Sequence, residues 1–247
     1  MDPALAQRLN EINQAFYTDF ATAFADSRTL DQPELSRVVA LVPPAGRVLD
    51  LGCGHGRIAH LLDRQSAAAT YLGLDFSASL VRLAEDWAGE LERVEAGFAV
   101  VDLLDPQWPS VLRGRSFDVI LILAVLHHIP AYTNRLATLR QLRDHLAPRG
   151  RLVISTWQFT DHPRMRRKIV PWQRVGLDPG GLEPGDYLLD WKRGGLGYRY
   201  CHLVDRAELE RLATDSGMIL LETYRAGGRE GDLSLFGLLA HPLHEPR

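Results

Sequence analysis

Two hydrophobic periods alternate along the 247 residues. Short apolar runs at Val48–Leu51, Tyr71–Leu74, Phe98–Val101, Val119–Leu126 and Leu152–Ile154 read as buried strands, and helical spacing returns between them, as in Leu80, Val81, Leu83, Ala84 and Trp87. Strands alternating with helices predict an open, mostly parallel sheet with helices on both faces. Leu5, Leu9, Ile12, Phe16, Phe20 and Phe24 recur at steps of three and four and predict one face of an N-terminal helix. Asp31 as cap and Pro33 in the first turn predict a second helix, ended by Pro43-Pro44-Ala45-Gly46. Further on, Ser77 caps a helix reaching Arg93, Arg135–Leu146 forms another, and Asp205 starts a third that Gly217 stops. Met218–Tyr224 and Leu233–Ala240, separated by Ala226-Gly227-Gly228, predict an antiparallel edge to the sheet.

From Trp157 to Tyr200 both periods are lost, and Pro163, Pro171, Pro179 and Pro184 mark a loop-rich insertion. Its seven aromatic residues argue against disorder. Eight basic residues against five acidic ones give it a charge of +3, within a chain whose total is −3. Cationic surface is therefore concentrated locally, while the whole chain has no general attraction for nucleic acid or anionic lipid. With 46% hydrophobic and 24% charged residues the composition is that of an ordinary globular protein. Cys53 and Cys201 cannot make a disulfide framework, and no cluster has zinc-ligand spacing, so no metal is expected and a reducing cytoplasm is. No apolar run approaches the roughly 20 residues that cross a bilayer. One domain over 1–247 accounts for the pattern, with an N-terminal helical cap at 1–42 and an acceptor-side insertion at 157–202.

The chemistry is concentrated at Val48-Leu49-Asp50-Leu51-Gly52-Cys53-Gly54-His55-Gly56-Arg57, where a strand ends in an acid and breaks into three alternating glycines before a helix. Such a turn lets backbone N–H groups approach a ligand closely. Gly54-His55-Gly56-Arg57-Ile58-Ala59 also fits a dinucleotide fingerprint, which leaves a nicotinamide enzyme open on this loop alone.

The order of the following elements resembles the class I S-adenosylmethionine-dependent methyltransferases. Asp50-x-Gly52-x-Gly54-x-Gly56 is similar to their first motif, and Asp75 ends the next strand, where a carboxylate accepts the ribose hydroxyls. Asp102 stands where the family places an acceptor near the adenine amino group, and the strand from Phe117 opens onto the donor methyl at Ala124. Leu146–Ser155 is similar to the helix, turn and strand that close the family's sheet. The resemblance implies a Rossmann-like, doubly wound α/β fold with a seven-stranded, mostly parallel sheet and S-adenosyl-L-methionine as cofactor. It implies cofactor contacts from Asp50, Gly52, Cys53, Gly54, Gly56, Asp75, Phe76, Asp102, Leu103 and Ala124, with Tyr17 and Arg28 folding over from the N-terminal helices.

On the acceptor side, Gly185–Lys192 and Arg199-Tyr200-Cys201-His202 resemble the tRNA methyltransferases that esterify a carboxymethyl group on wobble uridine. Cys201 replaces a second aromatic of that pattern, and Asp190 replaces a proline. The resemblance implies Arg199, Arg28 and His202 as carboxylate holders, Trp191 or Tyr200 as a stacking platform, and His128 as a possible general base. His127 and His128 are expected to point to opposite faces of an extended segment and so not to share an ion. Alternatives are a small-molecule O- or N-methyltransferase and a noncatalytic S-adenosylmethionine-binding protein; sequence leaves the oligomeric state open.

Overall fold

A computed structural model describes residues 1–28, 30, 32–65 and 69–241. The capping role expected of Asp31 lies outside them. The N-terminal part forms α1 (Pro3–Asp19), α2 (Ala21–Ala25) and α3 (Pro33–Val39). The strand–helix alternation follows as β1 (Gly46–Leu51), α4 (Arg57–Arg64), β2 (Ala69–Asp75), α5 (Ala78–Ala88), β3 (Val94–Val100), β4 (Phe117–Leu123), α6 (Tyr132–His145) and β5 (Leu146–Trp157). The chain then makes α7 (Pro163–Arg166), β6 (Ile169–Val170), β7 (Asp186–Trp191) and β8 (Gly197–His202), and closes with α8 (Arg206–Ser216), β9 (Ile219–Ala226) and β10 (Ser234–Ala240).

Seven strands form one sheet in the order β3-β2-β1-β4-β5-β10-β9. The first five run parallel, while β10 is antiparallel to both β5 and β9. Strand alternation divides the core: Leu49, Leu51, Ile120 and Ile122 pack on one face, and Val48, Tyr71, Val119 and Leu121 on the other. The strand order reverses between β1 and β4, so a crevice opens beyond their carboxyl ends.

Three local readings change. The helix capped by Ser77, whose Oγ accepts from Leu80 N, ends at Ala88 rather than Arg93. The loop-rich insertion contains its own antiparallel sheet, β6-β7-β8, whose strands are too short and too aromatic to show a clean period of two. The buried side of α1 is rotated from the apolar stripe and consists of Ala6, Leu9, Asn10, Asn13, Phe16 and Tyr17. Asn13 explains that rotation. Its amide accepts from Tyr200 N on β8 at 2.9 Å and donates to the carbonyls of Tyr200 and His128 at 3.2 and 3.3 Å.

Candidate functional site

The glycine turn leaves β1 at the crevice and is pinned by Gly52 N and Cys53 N, both donating to Leu74 O at the end of β2. Gly52 has φ of +68°, and a Cβ there would run into Val125. Gly54, at φ +58°, is different: a Cβ on it would meet no protein atom within 4 Å, and the residue lines a cleft walled by Tyr17, Asp75, Phe76, Leu103 and Ala124. The bare backbone at this position is thus aimed at ligand space. Gly56 caps α4 in the left-handed region and, unlike Gly52, Cys53 and Gly54, does not line the cleft.

Asp75 lines the same cleft from the end of β2. One carboxylate oxygen accepts from Gly54 N and the other from Ser77 N, each at 2.9 Å. Each oxygen keeps a lone pair to accept from a hydroxyl, the pair of acceptors that a ribose diol requires. Burial pushes its pKa up to about 6, against the hydrogen bonds from Ser77 and Gly54. Phe76, Leu103 and Ala124 complete the walls. Ala124 has φ of +58°, unusual outside glycine, and its N–H donates to both Ser155 O and Ser155 Oγ at 3.0 Å.

Two expected cofactor acids do not line the cleft. Asp50 is buried beneath the turn, on the face of β1 that it shares with Val48, and accepts from Tyr71 Oη at 2.6 Å. Burial raises its pKa to about 7. Asp102 turns to α1, accepting from Asn10 and Gln14 at 2.9 and 2.8 Å as well as from Leu104 N. Both acids therefore brace the walls rather than form them.

Tyr17 and Arg28 cover the cleft from the N-terminal helices, as expected. Tyr17 Oη donates to His128 Nε2 at 3.0 Å, while His128 Nδ1 lies 2.8 Å from the Tyr200 carbonyl. A carbonyl only accepts, so the proton sits on Nδ1. Burial, reinforced by Arg199, drives the His128 pKa down to about 3. A ring so weakly basic and already bonded at both nitrogens positions Tyr17 instead of removing protons. Its neighbour corrects another expectation. His127 and His128 lie on a 3-10 turn, not an extended strand, and their rings are 4.4 Å apart.

Behind Arg28, which lines both spaces, lies a second pocket walled by Trp157, Trp191, Arg164, Lys168, Lys192, Arg193 and Arg199. Arg199 is only 2% exposed, and its guanidinium carbon stands 4.8, 5.0 and 5.1 Å from the ring centres of Phe16, Trp157 and Trp191. Its Nε and Nη1 have no hydrogen-bond partner, and among the described residues no carboxylate pairs with it. Lys192 differs, being paired with Asp190 at 3.0 Å. Desolvation and then Arg57 lower the Arg28 pKa to about 10.

His202, expected beside Arg199, belongs elsewhere. Successive residues of a strand face opposite ways, so three positions on from Arg199 the side chain enters a closed network behind β8. Its Nδ1 bonds Asp186 at 2.7 Å and its Nε2 bonds Glu208 at 2.8 Å, and Arg135 joins Glu208 to Glu183. The carboxylates raise its pKa against the opposing effect of burial. Tyr200 is likewise sealed, its hydroxyl donating to Asp186 at 2.8 Å, which leaves the half-buried Trp191, a wall of the second pocket, as the remaining platform. Sequence had offered no signal for Asn13 and had named Trp157 only among the insertion aromatics.

An open α/β sheet, a glycine turn at its switch point and a carboxylate placed to accept from a diol define a nucleotide-binding α/β domain. The methyltransferase domain model matches residues 21–223, and the chain belongs to that family. S-adenosyl-L-methionine is its cofactor, and the geometry of Gly54 and Asp75 fits that group. A probable tRNA methyltransferase 9B from Mus musculus is 26% identical over 71% of this chain, which spans only 36% of that protein. The tRNA (carboxymethyluridine(34)-5-O)-methyltransferase of Schizosaccharomyces pombe is 24% identical, with 86% of this chain and 91% of the relative aligned. A trans-aconitate 2-methyltransferase from Deinococcus radiodurans is 34% identical over 64% of this chain and 56% of its own length. Among solved structures, a SAM-dependent methyltransferase from Methanosarcina mazei shares the fold at a TM-score of 0.64 and 22% identity, covering 85% of this chain and 98% of its own. Among the described residues no helix is long and apolar enough to cross a membrane.

Proposed function

We propose that the chain methylates a carboxylate oxygen, and that its acceptor is the carboxymethyl group of a modified wobble uridine in tRNA. The observation that carries this reading is Arg199: a buried guanidinium with two unmet nitrogens and no acidic partner, in a pocket joined to the donor cleft through Arg28. A buried charge without an anion is costly by several kcal/mol even where aromatic rings surround it, and an incoming carboxylate with paired oxygens relieves that cost. S-adenosylmethionine supplies an activated methyl carbon, attacked by the oxygen as the carbon–sulfur bond breaks. A carboxylate is already ionised near neutrality, so no general base is needed and the depressed basicity of His128 is no handicap. Arg199 and Arg28 orient the oxygen, Tyr17 and His128 fix the shared wall, and Trp191 offers a face for a splayed base.

The fission-yeast relative's name supports the RNA acceptor, as do the exposed cations Arg164, Arg166, Arg167, Lys192 and Arg193 around the pocket. The Deinococcus relative favours a second reading, a small polycarboxylate, which the same Arg199 would hold. Incubation with labelled S-adenosylmethionine and either bulk tRNA or a panel of small carboxylic acids separates them. Alkali-labile label in tRNA supports the proposal; label only in the small acids transfers the pocket to the second reading.

A further inference from the structure

His127 is fully buried, yet neither ring nitrogen has a hydrogen-bond partner. Buried polar atoms are rarely left unmet, and methyl transfer as derived above gives this ring no task. Its immediate surroundings are the ring of His128 at 4.4 Å, the indole of Trp157 at 4.7 Å and, across from them, the thiol of Cys201. The ligating atoms of His127, His128 and Cys201 all lie within 4.8 Å of one another, and all three residues are buried. Cys201 Sγ already stands 3.6 Å from His128 Nδ1.

We propose that His127, His128 and Cys201 form a binding site for one zinc ion on the wall between the donor cleft and the acceptor pocket. Two imidazoles and a thiolate are a borderline-to-soft donor set; with no carboxylate among them, the cluster disfavours magnesium and calcium. Tetrahedral zinc bonds of about 2.0–2.3 Å put ligand atoms roughly 3.3–3.8 Å apart, so the cluster must contract by about an ångström. His127 can swing inward without breaking a hydrogen bond.

The surrounding hydrogen bonds accommodate the ion. If His128 Nδ1 ligates, it leaves the Tyr200 carbonyl, which still accepts from Asn13 Nδ2 at 3.2 Å. The proton then sits on Nε2 and is donated to Tyr17 Oη, 3.0 Å away, an outer partner that fixes the ring. Burial, with Arg199 and Arg28 nearby and, for His127, the neighbouring His128, keeps both imidazoles neutral. The same burial holds the Cys201 thiol protonated, with a pKa of about 12, which Arg199 lowers. Binding therefore expels the thiol proton to solvent as the sulfur–zinc bond forms, leaving a net charge of +1 on the site. His202 and the two arginines, whose charges also lower the His127 pKa, oppose that positive charge.

Cobalt(II) titration of the chelator-treated full chain tests the site directly. One equivalent should give a thiolate-to-cobalt charge-transfer band that zinc abolishes by displacement, and apparent affinity should rise about tenfold per pH unit through the released proton. Cys201→Ser should lose the band, Cys53→Ser should keep it, and His127→Ala should weaken binding by about tenfold or more. S-adenosylmethionine affinity, measured calorimetrically in Cys201→Ser and His127→Ala, and the far-UV circular dichroism of Cys53→Ser, which lies in the cofactor cleft, report that the fold is intact; if Cys201→Ser does not fold, His127→Ala alone decides. Absence of a thiolate band in the parent, its survival in Cys201→Ser, or unchanged affinity in His127→Ala overturns the assignment.

Discussion

The donor cleft and the acceptor pocket share Arg28, yet they are made from opposite materials. Backbone makes much of the first: two glycines at positive φ, an alanine at φ +58°, and strand ends carrying Asp50 and Asp75, whose pKa values burial raises. Long side chains make the second, with arginines and lysines held by aromatic rings and one guanidinium left without an anion. A cleft of backbone is rigid and serves one cofactor. A pocket of side chains can change its acceptor by a few substitutions while the sheet beneath stays the same.

The sharpest way to break this contrast is Gly54→Val. A branched side chain would fill ligand space and resist positive φ, so S-adenosylmethionine binding should vanish in a folded variant; undiminished affinity by calorimetry would remove the turn from the cleft. Arg199→Met tests the other side. Turnover of a carboxylate acceptor should fall by about 100-fold or more through poorer orientation, with cofactor affinity retained. Its melting temperature should stay level or rise, because replacing an uncompensated buried charge by an apolar chain removes a desolvation cost; a fall of many degrees would mean that the arginine has a structural partner.

Asp75→Asn should weaken S-adenosylmethionine by about 1.5–3 kcal/mol, the worth of hydrogen bonds to a charged acceptor. In the parent, affinity should drop as pH falls through about 6, where the carboxylate takes up a proton, and the variant should lose that dependence. The sign for stability is opposite. A folded pKa raised from 3.8 means that this group's contribution is intact below the unfolded value and declines as pH rises through about 6, so the cofactor-free protein loses stability over that interval. Denaturation profiles that rise across it would refute the assignment. The smallest effect belongs to the pocket mouth. Reversing Arg164 and Lys168 to glutamate should leave cofactor binding alone and flatten the salt dependence of tRNA binding by about 0.7–0.9 in log–log slope for each phosphate no longer neutralised. An unchanged slope would favour the small polycarboxylate.

What could be read from sequence follows the same division. Gly54, Asp75, Phe76, Leu103 and Ala124 stand at the cleft as their order along the chain implied. Asp50 and Asp102 were placed on the correct strand ends, but their side chains turn to Tyr71 and to Asn10 and Gln14, partners distant in sequence. Arg199 and Arg28 meet as expected, whereas His202 does not join them: the short strands of the insertion hid which face each residue takes. The two histidines after β4 were read as extended because nothing local announces a 3-10 turn.

By itself the sequence determined the parallel sheet, the helices beside it and the glycine turn, because hydrophobic period and backbone permissiveness act between neighbours along the chain. Tertiary structure decided the rest. Whether a histidine lies bare beside a thiol or locked between carboxylates, and whether an arginine finds an anion, depends on residues that only the fold brings together, Cys201 reaching His128 across 73 positions, and Tyr17 reaching it across 111. Burial then fixes their charge, since desolvation penalises an ion only once the fold has closed around it.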